Sequence, residues 1–517
     1  MAVVVEAEEY RKRAEGFLRE LNEEFYRNGA GLKDSLDVSS VFEKYSDLFE
    51  KDQVMLLLGA ARESRFVARE MPPQRPGPSG LMEATEEEKR ARYLAWFAAD
   101  GFLDMATKEL TDAVASGETQ AQVEFEGKMI PFRASQVVLA NEPSPRARAA
   151  LETARQQVTR KNNPKRAERM EMLHTLVGEL GYPDYRSFCA ETRGIDLESL
   201  SARMQGFLDD TEGLYTRAME KAASSILGMR LRDVSRHDLG FLFRGIEFDD
   251  MFAGDRVVTT LESTVAAMGL AHEGYPNIHI DAEARERKSP RAFCATLDIP
   301  GKIVLVTMPH GGHDDYHSIL HEAGHAWHFG SVLPDRAFEY RWLGDNSVTE
   351  TYAFLFQYLA ADENWLLEYV RGPHVDEYRR FAAMRKLFML RRSAAKLLYE
   401  LRLHGGKPLA DMPQEYAGLL TDALKVRYPE SYYLADVDDG FYVAQYLRAW
   451  IFEAQLRSFF TQRFGERWYA YPEAGQALRE LFVEGQRFSV EELAQKLGMP
   501  GLDLNVVSQE LADNLKA

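Results

Sequence analysis

Apolar residues recur at helical spacing through most of this chain, and up to about residue 220 the pattern is that of amphipathic helices. The segment Met71-Pro-Pro-Gln-Arg-Pro-Gly-Pro-Ser-Gly80 can be neither helix nor strand and predicts a loop between helical blocks. Asn162-Asn-Pro164 predicts a second break. Val123–Ile130 alternates around Glu126-Gly127 and predicts a small hairpin. A long amphipathic stretch from Leu197 to Leu227 leads toward the second half of the chain. Between Asn277 and Gly312 the pattern changes to strands at Ile278–Ile280, Ala292–Leu297 and Lys302–Thr307. Pro300 and Gly301 separate the last two as in a hairpin, so a short antiparallel sheet is expected. Pro309, Gly311 and Gly312 then lead into a helix from Asp314 to Gly330, with Asp314 or Asp315 as N-cap and Gly330 and Pro334 as stop signals. No internal repeat or low-complexity segment interrupts the pattern.

Two faces of that helix differ sharply. Tyr316, Leu320, Ala323 and Trp327 form an apolar stripe that seats it in a core. The other face carries His317, His321, His325 and His328, and five of the twelve histidines of the chain fall between His313 and His328. A solvated polar face explains one or two histidines but not four on one stripe with a glutamate beside them. Residues 321–325 read His-Glu-Ala-Gly-His, in which two imidazoles one turn apart reach a single metal ion. Glu322 is placed to take a proton from water, and H-E-x-x-H on a helix is the signature of zinc-dependent peptide hydrolysis. His317 and His328 read as supporting or substrate-facing groups rather than ligands.

A catalytic zinc needs a third protein ligand and an open position. The carboxylates downstream are Asp335, Glu339, Asp345 and Glu350. Glu350 lies in Ser347–Leu359, a helix apolar on nearly every side and therefore buried. A buried carboxylate needs a cation or hydrogen bonds, which favours Glu350 as the ligand with Asp345 next. Ser347 and Glu350 also match a capping box, which accounts for Glu350 without any metal.

His-Glu-Ala-Gly-His-Ala-Trp-His (321–328) resembles the H-E-x-G-H-x-x-H of the thimet oligopeptidase and oligopeptidase F family of zinc metallopeptidases. Glu350, 25 residues past His325, is similar to that family's third ligand in its spacing. Gly440-Phe-Tyr-Val-Ala-Gln-Tyr446 resembles the F-Y-V-Y-x-Y segment of the oligopeptidase F branch. The resemblance implies a mainly α, two-lobed metallopeptidase with a deep central channel and a small sheet beside the H-E-x-x-H helix. It implies one zinc per chain, held by His321, His325 and Glu350, and cleavage of internal bonds in short peptides with Glu322 as general base. An N-terminal helical lobe over 1–220 and a catalytic lobe over 221–517 are expected, with room for the C-terminal helices to return to the first. The strand edge beside the metal helix suits an extended peptide, and Gly311-Gly312 would let its backbone approach; a linker that simply turns the chain is the plain alternative.

The chain departs from that family in its C-terminal segment. Its last histidine is His404, Tyr432 or Tyr433 stands about where a histidine is expected, and Ala444 replaces the middle tyrosine. A phenol donates to an oxyanion as imidazole does, which makes Tyr442 and Tyr433 the candidate donors, while Tyr446 reads as packing beside Leu447 and Trp450. Two further readings stay open. A dipeptidyl carboxypeptidase of the same metal chemistry would need a cation for the terminal carboxylate, and Arg448 is the candidate. A non-catalytic peptide-binding homologue is favoured only by the missing histidine and Ala444.

Composition narrows the setting. At 517 residues, 45% hydrophobic and 28% charged, the chain reads as an ordinary globular protein. No stretch approaches the length of a membrane span, and Met-Ala-Val-Val-Val before Glu6, Glu8 and Glu9 lacks the basic region of a signal peptide. Cys189 and Cys294 are isolated and match no zinc or redox spacing, so reduced thiols and a cytoplasmic setting are expected. A net charge of −18 argues against nucleic acid as partner.

Overall fold

The structure is a computed structural model that describes residues 2–70 and 84–516, apart from the side chains of 2–6 and 67–70; the loop expected at Met71–Gly80 lies outside the described residues. Helices dominate it. Those that matter below are α1 (Ala2–Gly29), α2 (Pro145–Glu179), α3 (Leu197–Ala222), α4 (His313–Ser331), α5 (Asn346–Leu359) and α6 (Tyr442–Phe464). The strands are β1 (Gln122–Phe125), β2 (Lys128–Pro131), β3 (Ile278–Asp281), β4 (Phe293–Asp298) and β5 (Lys302–Val306). Among the described residues no helix is long and apolar enough to cross a membrane.

The chain divides into two compact units. One comprises Met1–Phe102, Glu247–Arg379 and Arg448–Val507, the other Leu103–Ile246, Arg380–Leu447 and Ser508–Ala517. Compactness follows which faces pack together, and segments far apart in sequence share one unit.

In the first unit β4 and β5 form the antiparallel hairpin expected around Pro300-Gly301, in register from Phe293 opposite Val306 to Asp298 opposite Lys302. β3 joins the other side of β5 in parallel, so the sheet is mixed, with order β3-β5-β4. The excursion between β3 and β4 makes this possible. Asp281 holds Arg285 and Lys288 by ion pairs, while Arg285 reaches the Ala30 carbonyl and the Ser289 N–H reaches that of Gly29. The chain thus leaves β3, touches the end of α1 and re-enters on the far side of β5. The Ala295, Leu297, Val304 and Val306 side chains form a buried cluster with Ala30, Tyr26 and Phe293. Asn22 of α1 donates to the Thr296 carbonyl at 2.9 Å, which occupies part of the β4 edge.

In the second unit the hairpin β1–β2 pairs as the alternation predicts, with Glu126 (φ 51°) and Gly127 (φ 77°) in the left-handed turn. Asn162-Asn-Pro164 does not end a helix: α2 runs through it. Pro164 removes the donor to the Arg160 carbonyl, and in the same turn Asn162 and Arg166 donate to the Val158 and Thr159 carbonyls. Burial of Leu151, Met170, Leu173 and Val177 holds the helix on both sides of the proline. α3 begins at Leu197 as predicted, with Asp196 accepting from the Ser199 N–H as its N-cap.

Candidate metal centre

The chain enters α4 through Gly311 (φ 98°) and Gly312 (φ 93°), a backbone that residues with a Cβ adopt poorly. These glycines pack on the chain itself. Gly312 donates to the Phe252 carbonyl at 2.8 Å, and a Cβ on Gly254 would stand 2.8 Å from the Gly311 nitrogen. Close approach here is thus to residues 252–254. The N-cap is Gly312, not Asp314 or Asp315. Asp315 instead accepts from the His310 and Gly311 N–H groups at 2.6 and 2.7 Å and fixes the entry loop.

The apolar stripe of α4 is buried as its spacing predicts, with Tyr316, Leu320, Ala323 and Trp327 all in the core. Trp327 donates to the Leu270 carbonyl at 2.8 Å. The histidine face divides. His317 Nε2 lies 2.7 Å from the Tyr378 hydroxyl. His328 is fully buried among Phe329, Tyr352 and Phe482, and burial pushes its imidazole down to about 3. It is a core group in this structure. His321 and His325 remain partly accessible, their rings edge-to-face at 4.9 Å.

Those two rings meet α5 at Glu350. Its Oε2 lies 3.4 Å from His321 Nε2 and 3.8 Å from His325 Nε2. One ligand atom from each of the three residues falls within 4.8 Å of the others, a set that could hold a metal ion. The capping alternative for Glu350 does not survive: Asp345 is the N-cap of α5 and accepts from the Ser347 N–H. Asp345 also pairs with Arg448 at 2.7 and 3.1 Å, which removes it as the competing ligand. Arg448 is itself buried between Asp345 and Glu491. A guanidinium so engaged does not serve as a clamp for a peptide carboxylate, so the carboxypeptidase reading loses its cation.

What brings α4 and α5 so close is Gly324 in the middle of the motif. A Cβ there would stand 2.5 Å from both the Ala353 Cα and the Tyr352 carbonyl oxygen. The glycine between the histidines is thus a packing requirement, and it sets the distance from His321 and His325 to Glu350.

Burial and neighbouring charge act differently on Glu322, His325 and His321. Burial pushes Glu322 up, with Glu350 adding to the rise against His321 and the Cys294 N–H, to about 7. Burial pulls His325 down to about 4. Burial also opposes charge on His321, but the hydrogen bond and charge of Glu350 outweigh it and the imidazole is raised. Two supporting contacts were not anticipated from the sequence pattern. The Cys294 N–H on β4 donates to Glu322 Oε2 at 2.9 Å, and Thr349 Oγ1 lies 2.7 Å from His325 Nδ1. A backbone donor leaves no trace in residue types, whereas Thr349 could have been suspected from its place beside Glu350. Cys294 and Cys189 are both unbridged thiols, and burial pushes the Cys294 thiol well up.

Tyr442, Tyr446 and Tyr433 belong to the second unit. The Tyr442 and Tyr446 rings meet edge-to-face at 4.9 Å on α6. The Tyr433 carbonyl accepts from the Tyr399 hydroxyl at 2.6 Å, and burial followed by the charge of Glu171 pushes the Tyr433 phenol up. Tyr432 is buried under the Arg236 guanidinium, 3.9 Å from its ring centre. Ala444 is fully buried.

No protein-family model and no curated protein sequence matches the chain. Its fold is similar to that of a crystal structure described as "putative Oligoendopeptidase F", with a TM-score of 0.66 over 98% of this chain and 94% of that one. Sequence identity between the two is 13%, so the likeness is one of fold.

Proposed function

We propose that the protein is a zinc-dependent oligopeptidase that hydrolyses internal bonds of short peptides. The observation that carries this reading is the convergence of His321, His325 and Glu350, with Glu322 beside them on the same helix. Two imidazoles and one carboxylate suit zinc with an open position, and a carboxylate as buried as Glu350 calls for a cation. When bound, the ion would supply Lewis acidity, making water more acidic and offsetting charge on the oxyanion.

The remaining chemistry falls to the chain's own groups. Glu322 takes a proton from the water that attacks the scissile carbonyl and returns it to the leaving amine. Burial raises the proton affinity of the Glu322 carboxylate, which suits a group that takes up a proton and gives it back. Because Oε2 is held by the Cys294 N–H, Oε1 is the oxygen that carries the proton. Tyr442 and Tyr433 are assigned as hydroxyl donors to the oxyanion on chemical grounds, since a phenol donates where the family resemblance would place an imidazole.

The test is to analyse the purified protein for metal, incubate it with a mixed peptide library and sequence the products by mass spectrometry. Internal cleavage of peptides about a dozen residues long, lost on chelation and restored by zinc, is expected. A protein carrying one zinc per chain that leaves every peptide intact would overturn the reading. Removal of C-terminal dipeptides alone would shift it to the carboxypeptidase mode.

A further inference from the structure

The two imidazoles of the proposed metal site are not held alike. His325 Nδ1 lies 2.7 Å from Thr349 Oγ1, whereas Gln357 and Glu350 are the side-chain partners of His321. Thr349 is 5% exposed, in the first turn of α5 and next to Glu350. A threonine within a helix commonly turns its hydroxyl back onto its own helix, as Thr351 does to the Ser347 carbonyl at 2.7 Å. The Thr349 hydroxyl instead crosses to α4. We infer that Thr349 is a positioning residue that accepts the Nδ1–H of His325 and so presents the Nε2 lone pair at the site.

The argument is one of tautomers. A neutral imidazole carries one proton, and the hydrogen bond at one nitrogen decides which nitrogen remains a ligand. With Nδ1–H donating to Thr349, Nε2 faces Glu350 as a bare lone pair. The opposite tautomer would place an Nε2–H 3.8 Å from Glu350 Oε2, too far for a hydrogen bond. Thr349 Oγ1 is placed to accept from Nδ1–H, and only in that tautomer is Nε2 free to bind an ion. Since Thr349 and Glu350 are consecutive on α5, one helix turn supplies both a third ligand and the group that orients the second.

This inference rests on the proposed metal site, and its test is arranged so that the two can fail separately. Zinc affinity is measured by chelator competition near neutral pH for wild type, Thr349→Val and Thr349→Ser, each checked for folding by circular dichroism. Valine keeps the shape and removes the acceptor; serine keeps the acceptor and removes the methyl. Loss of such an orienting partner costs about 10- to 100-fold in metal affinity. Thr349→Val is expected to weaken zinc by that factor, while Thr349→Ser stays within about threefold of wild type on the same scale. Equal affinity of the valine variant and wild type overturns the inference and leaves the site intact. Serine as weak as valine also overturns it, because packing of the methyl would then be the cause. Wild type that takes up no zinc overturns the proposed function and this inference with it.

Discussion

Gly324→Ala is the smallest change that should separate the metal-ligand residues, since it adds one methyl where α4 crosses α5. The new Cβ would stand 2.5 Å from the Ala353 Cα and the Tyr352 oxygen and 2.8 Å from the Ala353 nitrogen, whereas ordinary contact begins at 3.4 Å. All three are backbone atoms, so no side chain can swing aside, and the helices must separate by roughly 1 Å at this point. Forcing a methyl into a packed interior costs about 1–3 kcal/mol. The larger consequence is local. Gly324 lies between His321 and His325, and Ala353 is one turn from Glu350, so the displacement falls on the ligand set itself. Metal–ligand distances tolerate only about 0.2 Å. Zinc affinity should therefore fall by about 100-fold or more, while denaturant unfolding shows a loss within the overpacking range. Chelator competition and urea titration read the two effects separately. An alanine variant with wild-type zinc affinity and an unchanged unfolding midpoint would refute the reasoning, and loss of stability with full affinity would show that Gly324 does not set the ligand geometry.

Four other outcomes follow from the same contacts. Glu322→Gln should keep about one zinc per chain and lose hydrolysis by about 10²- to 10⁴-fold, and retention of a tenth of wild-type activity in a peptide assay would remove Glu322 as base. Glu350→Ala should release zinc under mild chelation. Asp345→Ala should retain it yet lose about 3–5 kcal/mol in urea unfolding, because the buried Arg448 loses a partner; the reverse pattern would exchange the two roles. Tyr442→Phe should lower kcat by about 10²- to 10³-fold with KM nearly constant if its hydroxyl is the oxyanion donor, whereas unchanged kcat moves that role to another group. A pH effect is expected at His404, which is buried against His174 at 2.9 Å, both imidazoles being held below their ordinary value by burial. The folded state then resists protons that the unfolded chain takes up below about 6.5, so this contribution is present at higher pH and is lost as pH falls through that value. Unfolding midpoints at pH 7.5 and 5.5 should converge in His404→Gln relative to wild type, and an undiminished difference would place the linkage elsewhere.

The elements that depend on local periodicity were legible in the sequence. The seat of α4 came from an apolar residue every three or four positions, and the hairpins at Glu126-Gly127 and Pro300-Gly301 came from turn residues between alternating strands. The paired histidines were legible too, because a helix brings positions four apart onto one face whatever surrounds it. Pairings between distant segments were not. The apolar pattern around Glu350 favours it over Asp345 only as a buried carboxylate; its meeting with the histidines is made where α5 meets α4 at Gly324 and where Arg448 takes Asp345. The parallel entry of β3, the passage of α2 through Pro164 and the division of the chain into discontinuous units are likewise tertiary decisions. So are the Cys294 N–H on Glu322 and Thr349 on His325. Local spacing fixes which side chains share a face, because the backbone repeat is the same everywhere. Which face meets which is settled by burial summed over the whole chain, and at this site that sum brings a carboxylate to two imidazoles.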